Sequence, residues 1–190
     1  MKKKGLIITL AIVGVIVVLA LSIIGKYNGF VDKNEEVLNK QSAISTQLQR
    51  RADLIPNFVE TVKGYSDYEK ETYTAVTEAR SAVQKANSPA EQAAAANQLD
   101  SAIDIWVNAV TEAYPDLKAN EQYRALQDEL AGTENRVAVA RKDYNDAAKS
   151  FNTSIKKFPG NIIANLFGFD AYEYFEADEG AEKVPQVSFK

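Results

Sequence analysis

From Phe30 onward, apolar residues recur at alternating steps of three and four, the spacing that lines one face of an α-helix. The first such run is Phe30, Val37, Ile44, Leu48 and Ile55, diluted by Asn34, Gln41 and Arg51. A second, Phe58, Val62, Tyr65, Glu69, Thr72, Val76, Ala79, Val83 and Ala86, has only Glu69 out of character. The third reads Ala96, Leu99, Ile103, Trp106, Val110, Ala113, and the fourth Tyr123, Leu126, Leu130, Thr133, Val137, Ala140, Tyr144, Ala147, Phe151 and Phe158. Strands would alternate at every second residue, and no such stretch precedes the C-terminal tail. The breaks between runs are legible too. Ile55-Pro56-Asn57 predicts a kink or an end to the first helix, since proline lacks the N–H and disfavours the helical region in the residue before it. Ser88-Pro89-Ala90-Glu91 predicts a helix start, with Ser88 as N-cap and Glu91 completing a capping box. Tyr114-Pro115-Asp116 closes the third helix and Phe158-Pro159-Gly160-Asn161 the fourth.

Ahead of these runs, Met1-Lys2-Lys3-Lys4 leads into Leu6 to Ile24, nineteen residues without a charge. At about 1.5 Å per residue they cover roughly 28 Å, close to the hydrocarbon core of a bilayer. Ala20 and Ser22 stand in the small-x-small relation of a signal-peptidase site, but the run is longer than a signal-peptide core, which favours an anchor. Three lysines and the terminal amine on the short side, against Lys26 and Lys33 beyond the span, predict a cytoplasmic start and an exported body. The fold expected is all-α: a basic N-terminus at 1–5, a transmembrane helix at 6–25, an antiparallel up-down four-helix bundle with long helices at 26–160, and an aromatic segment with an extended tail at 161–190. An extended coiled coil is the rival reading of the Ala-rich seams.

Composition narrows the chemistry. The 190 residues hold no histidine and no cysteine, which excludes disulfides, thiol nucleophiles, imidazole metal ligands and a Ser-His-Asp triad. A carboxylate di-iron site in a bundle needs Glu-x-x-His, so neither a metal nor a cofactor is expected, and no carboxylate pair reads as an active site. Lys+Arg number 22 against 26 Asp+Glu; the part beyond residue 25 carries −7. A body that acidic offers no stripe for nucleic acid and no evident basic face for anionic lipid.

Geometry places the fourth helix's end back at the bilayer. There Ile162, Ile163, Leu166, Phe167, Phe169 and Tyr172, followed by Tyr174 and Phe175, crowd into a short segment suited to the membrane interface. Folding back to cap the bundle is the equal alternative. Val184 to Phe189 reads as an extended terminus. At the opposite end, Arg50, Arg51 and Asp53 before Pro56 and Asn57 are expected to meet Tyr114, Pro115, Asp116 and Asn120. These nine residues form either a partner-docking surface or, the favoured account, helix caps and ion pairs with Asp53, Glu60 or Asp116. Arg80, Glu134, Arg136 and Arg141 lie beside the seams, where they suit polar layers that fix helix register.

Several strings in order, Tyr27-Asn28, Leu48 to Asn57, Tyr114 to Asn120, Leu126-Gln127, Glu134-Asn135-Arg136 and Arg141 to Asn145, resemble the LemA family of bacterial membrane proteins. The resemblance runs from Tyr27 to Phe189, with Phe58 standing where the family usually has leucine. It implies one N-terminal anchor, an antiparallel helical bundle and no established enzymatic activity. It further implies similarity to proteins of magnetosome membrane formation and nominates an HtpX-type membrane protease as a partner. The function expected is therefore a non-enzymatic scaffold or adaptor for envelope proteins, or a self-assembling homo-oligomer. The alternative is an extracytoplasmic ligand-binding sensor working through a separate partner.

Overall fold

The computed structural model describes residues 2–63 and 70–175, with side chains described for 6–62 and 74–175. Five α-helices are found among them: α1 (Lys2–Lys63), α2 (Lys70–Lys85), α3 (Pro89–Ala113), α4 (Glu121–Lys156) and α5 (Gly160–Phe167), with a 3₁₀ turn at Pro115–Ala119. No strand occurs among the described residues. Tyr65 and Glu69 of the second predicted seam, the side chain of Thr72, and the predicted extended terminus from Val184 to Phe189 lie outside them. The chain forms two compact units. Of the described residues, the first takes 2–39 together with Tyr144–Tyr172; the second takes those of Lys40–Asp143 and residues 173–175. Helices α1 and α4 contribute to both.

The second unit is a helical bundle. Ile44, Leu48, Ile55 and Phe58 of α1, Val76, Ala79 and Val83 of α2, Leu99, Ile103 and Trp106 of α3, and Tyr123, Leu130 and Val137 of α4 are all buried. Aromatic contacts tie three of these helices: the Phe58 ring lies 4.9 Å from that of Trp106 and 5.1 Å from that of Tyr123. Tyr123 is fixed further by a 2.8 Å hydrogen bond between its hydroxyl and that of Thr111.

Of the kink or end expected at Pro56, the end is absent. Pro56 does not end a helix; α1 runs through it to Lys63, so Phe58 and Val62 belong to α1 and the second seam is divided between α1 and α2. An interior proline costs about 3 kcal/mol. Burying Ile55 and Phe58 on either side of it contributes roughly 1.5–3 kcal/mol each, which offsets that cost while the proline itself stays on the exposed face.

The other signals act as the residues suggest. Ser88 caps α3, its Oγ accepting from Glu91 N at 3.2 Å, while the Glu91 carboxylate accepts from the N–H groups of Asn87 and Ser88 at 2.8 and 3.1 Å. Pro115 opens the 3₁₀ turn, which sets Leu117 into the core. Asn120 then caps α4, its Oδ1 accepting from Tyr123 N at 3.0 Å.

In the first unit, Phe30 and Val37 of α1, Tyr144, Phe151 and Ile155 of α4, and Ile163 and Ala164 of α5 are all buried. The short α5 was not foreseen as a helix. Gly160 permits its close start: a Cβ there would fall 2.5 Å from the Ser154 carbonyl oxygen and 3.0 Å from the Phe30 ring. Gly168, at φ 74°, ends it in the left-handed conformation that glycine adopts without strain. Phe158, assigned to the fourth seam, is 81 % exposed because α4 ends at Lys156, before the seam reaches it.

The two backbone hydrogen bonds received by Glu91 hold its carboxyl below the ordinary value of 4.5. As pH falls, the unfolded chain takes up that proton first, so the stabilisation is present above 4.5 and is lost as pH drops through the lowered native value. Glu91→Gln should therefore destabilise the bundle at neutral pH and become indistinguishable from the parent in acid. Urea unfolding followed through the single tryptophan, Trp106, at the two pH values reads this difference.

Candidate functional site

Two groups of residues are candidates, one in each unit. In the bundle, Arg51 lies only 3 % exposed, not at a helix end, because α1 continues past Pro56. Its Nη1 approaches Asp100 of α3 at 2.7 Å and its Nη2 Glu134 of α4 at 3.5 Å. A buried guanidinium needs such company, since removing it from water unpaired costs several kcal/mol. Burial pushes the Asp100 carboxyl above its ordinary value, and the charge of Arg51 opposes that rise.

Arg50 stands on the outer side of α1 and meets Glu129 of α4 at 2.8 Å, the same oxygen that receives Arg136 at 2.8 Å. Asp53 accepts from Gln49 at 2.9 Å and faces Arg80 of α2 at 3.5 Å. Arg50 and Arg51 thus reach acids on α3 and α4, whereas the sequence suggested partners in Asp53, Glu60 or Asp116. Of the expected polar-layer residues, Arg80, Glu134 and Arg136 take part in these interhelical or intrahelical pairs. Arg141 lies 5.8 Å from the centre of the Phe175 ring. Pro56 and Asn57 are exposed on α1, and the Asn57 carbonyl accepts from Thr61 Oγ1 at 2.9 Å. The N–H of Tyr114 closes α3 on the Val110 carbonyl, Pro115 and Asp116 are exposed, and Asn120 caps α4. Asp100, the closest partner of Arg51, was missed: on α3 it falls beside the Leu99 seam position and reads as an ordinary surface acid.

The second group surrounds the last turn of the apolar run. Every residue from Leu6 to Asn28 is exposed, so this stretch of α1 has the bared apolar surface of a membrane helix. It is the one segment among the described residues long and apolar enough to cross a membrane. The predicted interfacial residues divide into two sets here. Ile162, Leu166 and Phe167 of α5 are 58, 73 and 49 % exposed. Ile163 is buried; Phe169 sits among Tyr27, Phe30 and Phe151 at ring separations of 5.7, 5.5 and 6.1 Å; Tyr172 lies 5.3 Å from Phe151. These three face inward because α5 presents alternate sides and the chain after Gly168 turns back onto α4.

Asn152 secures that return. Its Oδ1 accepts from Tyr172 N and its Nδ2 donates to Tyr172 O, both at 2.8 Å, while the Tyr172 hydroxyl donates to Asn34 Oδ1 at 2.8 Å. Burial, and then the charge of Glu35, raise the Tyr172 phenol above its ordinary value, so it stays a donor throughout the neutral range. Four lysines from distant parts of the sequence, Lys26, Lys33, Lys149 and Lys157, also line one hollow in this unit. The net charge of the body concealed that cluster.

A helical bundle carried on a chain with an N-terminal apolar span defines a membrane-associated all-α protein. The chain belongs to the LemA family, whose model matches residues 40–189. It is similar to the protein LemA of Metamycoplasma hominis, 29 % identical over 82 % of this chain and 71 % of that one. It is also similar to magnetosome protein MamQ 2 of Paramagnetospirillum magneticum, 26 % identical over 91 % of this chain and 74 % of the relative. Magnetosome protein MamQ of Magnetospirillum gryphiswaldense is 23 % identical over 85 % and 70 %.

Replacing Arg51 with methionine leaves Asp100 and Glu134 without their cation, and Arg51→Met is expected to cost about 3 kcal/mol in urea unfolding. Adding Asp100→Leu should recover a large part of that loss. Equal losses in the single and double variants would mean that the side chain contributes through packing alone.

Proposed function

We propose that this LemA-family chain is a non-enzymatic membrane scaffold, fixed to the bilayer by its span and by α5 and presenting its helical bundle to other envelope proteins or to further copies of itself. One observation carries the reading. Ile162 and Ile163 of α5 line the same hollow as Leu19, Ile23 and Lys26, the end of the apolar run, which supports a seat for the exposed face of α5 at the boundary between hydrocarbon and water. Tyr27 packs against Phe167 in a tilted pair, ring centroids 4.9 Å apart, an aromatic contact suited to the headgroup region. The interhelical ion pairs of Arg50, Arg51 and Asp53 support a structural role for the motif residues, leaving the outer faces of the helices for partners. The lysines of the short N-terminus support an orientation with that end in the cytoplasm and the body outside.

Three measurements test this. A polarity-sensitive probe at Leu166 should report lipid, and one at Glu36, roughly 18 Å beyond Ile24 along α1, should report water; equal readings would remove α5 from the membrane surface. Protease added to the outer face of the membrane should digest the body, and full protection would reverse the orientation. Mild crosslinking in native membranes before extraction should capture a stoichiometric second protein or a discrete homo-oligomer. A bare monomer would overturn the scaffold reading in favour of a ligand-binding one.

A further inference from the structure

Two adjoining hollows in the first unit differ in character. The lower, about 730 Å³, is apolar: Leu19 and Ile23 of the span and Pro159, Ile162 and Ile163 of the α5 region form its walls. Gly25 and Gly29, one helical turn apart on α1, lie along it, and a Cβ added at either would meet nothing within 4 Å. The upper, about 520 Å³, is lined by Lys26, Lys33, Lys149 and Lys157, with Asp146 as its one acid. The hydroxyls of Ser150, Thr153 and Ser154 line it as well, and Lys33 Nζ already donates to Ser150 Oγ. Lys26, Lys33 and Ser154 belong to both hollows, so the apolar slot opens directly into the cationic one.

Lysines flanking a span ordinarily reach for water at the membrane surface. That accounts for Lys26 but not for the convergence of Lys149 and Lys157, which arrive from the far end of the chain on α4 and just after it. Four ammonium groups and three hydroxyls above an apolar slot match a phosphate diester joined to acyl chains. We propose that the first unit binds one anionic phospholipid of the membrane it spans, the headgroup phosphate held among the four lysines and an acyl chain laid along Gly25 and Gly29. The two glycines keep the slot open; any larger side chain there would fill it. The inference rests on the span and α5 being seated at the bilayer, and is independent of whether the bundle serves as a scaffold.

The test uses the full chain in a mild non-ionic detergent, with native mass spectrometry reading retained phosphatidylglycerol or phosphatidylcholine of identical acyl chains. One phosphatidylglycerol should remain bound under activation that strips phosphatidylcholine. Lys149→Gln with Lys157→Gln, remote in sequence from the span, should weaken phosphatidylglycerol retention roughly thirtyfold and leave phosphatidylcholine unchanged. Gly25→Leu with Gly29→Leu should lower retention of both lipids without loss of helix, because leucine is the better helix former. Pelleting of each variant with alkali-washed membranes shows that the seat at the bilayer survives, which separates failure of the lipid site from failure of anchoring. Equal retention of the two lipids, insensitive to the lysine variant, overturns the proposal. Displacement of phosphatidylglycerol by inorganic phosphate alone overturns it too, by reducing the site to one for a free anion.

Discussion

The packing of Phe58 against Trp106 and Tyr123 keeps α1 helical across a proline that would otherwise end it. Much follows from that continuity. Because the helix does not stop at Pro56, Arg51 lies within the bundle instead of at its rim, and a buried cation then demands acids from the neighbouring helices. Asp100 and Glu134 supply them at 2.7 and 3.5 Å. The same continuity adds Phe58 and Val62 to the element that already carries the apolar run, Tyr27 and the seam from Phe30 to Ile55, and this 62-residue helix contributes to both compact units.

Charge in this protein is spent locally, and in different ways in the two units. In the bundle, arginine forks join α1 to α3 and α4, and such geometry resists replacement by lysine because the planar group contacts two acids together. In the first unit the cations are lysines, compact and flexible, and four of them line one hollow. A total charge says little about a molecule in which folding sorts the signs this finely.

The helical seams were legible because burial needs only periodicity: Phe30, Val37, Ile44, Leu48 and Ile55 are all buried, as their spacing implies. The capping box at Ser88 was legible because its hydrogen bonds are local, within four residues. What was not legible depends on distant partners. Whether Pro56 breaks α1 is decided by rings on α3 and α4, and whether Lys149 is a solvated charge or part of a cluster is decided by α1. The eight residues of α5 are too few for a periodicity to announce, and the division of its side chains between outside and inside required the Phe169 stack to be seen. Asp100 shows the general difficulty: its neighbour Leu99 marks the core, and nothing nearby marks the cation it meets.

The reciprocal bonds between Asn152 and Tyr172, and the reach of Tyr172 to Asn34, impose an order on biosynthesis. The first unit is assembled from the beginning of the chain and from Tyr144–Tyr172, with the whole of Lys40–Asp143 made in between. While the ribosome works through that interval, Phe30 lacks the Phe169 ring that packs against it in the finished unit. The unit nearest the start of the chain thus cannot close until Phe151, Phe169 and Tyr172 emerge, after Lys40–Asp143 of the second unit has been made.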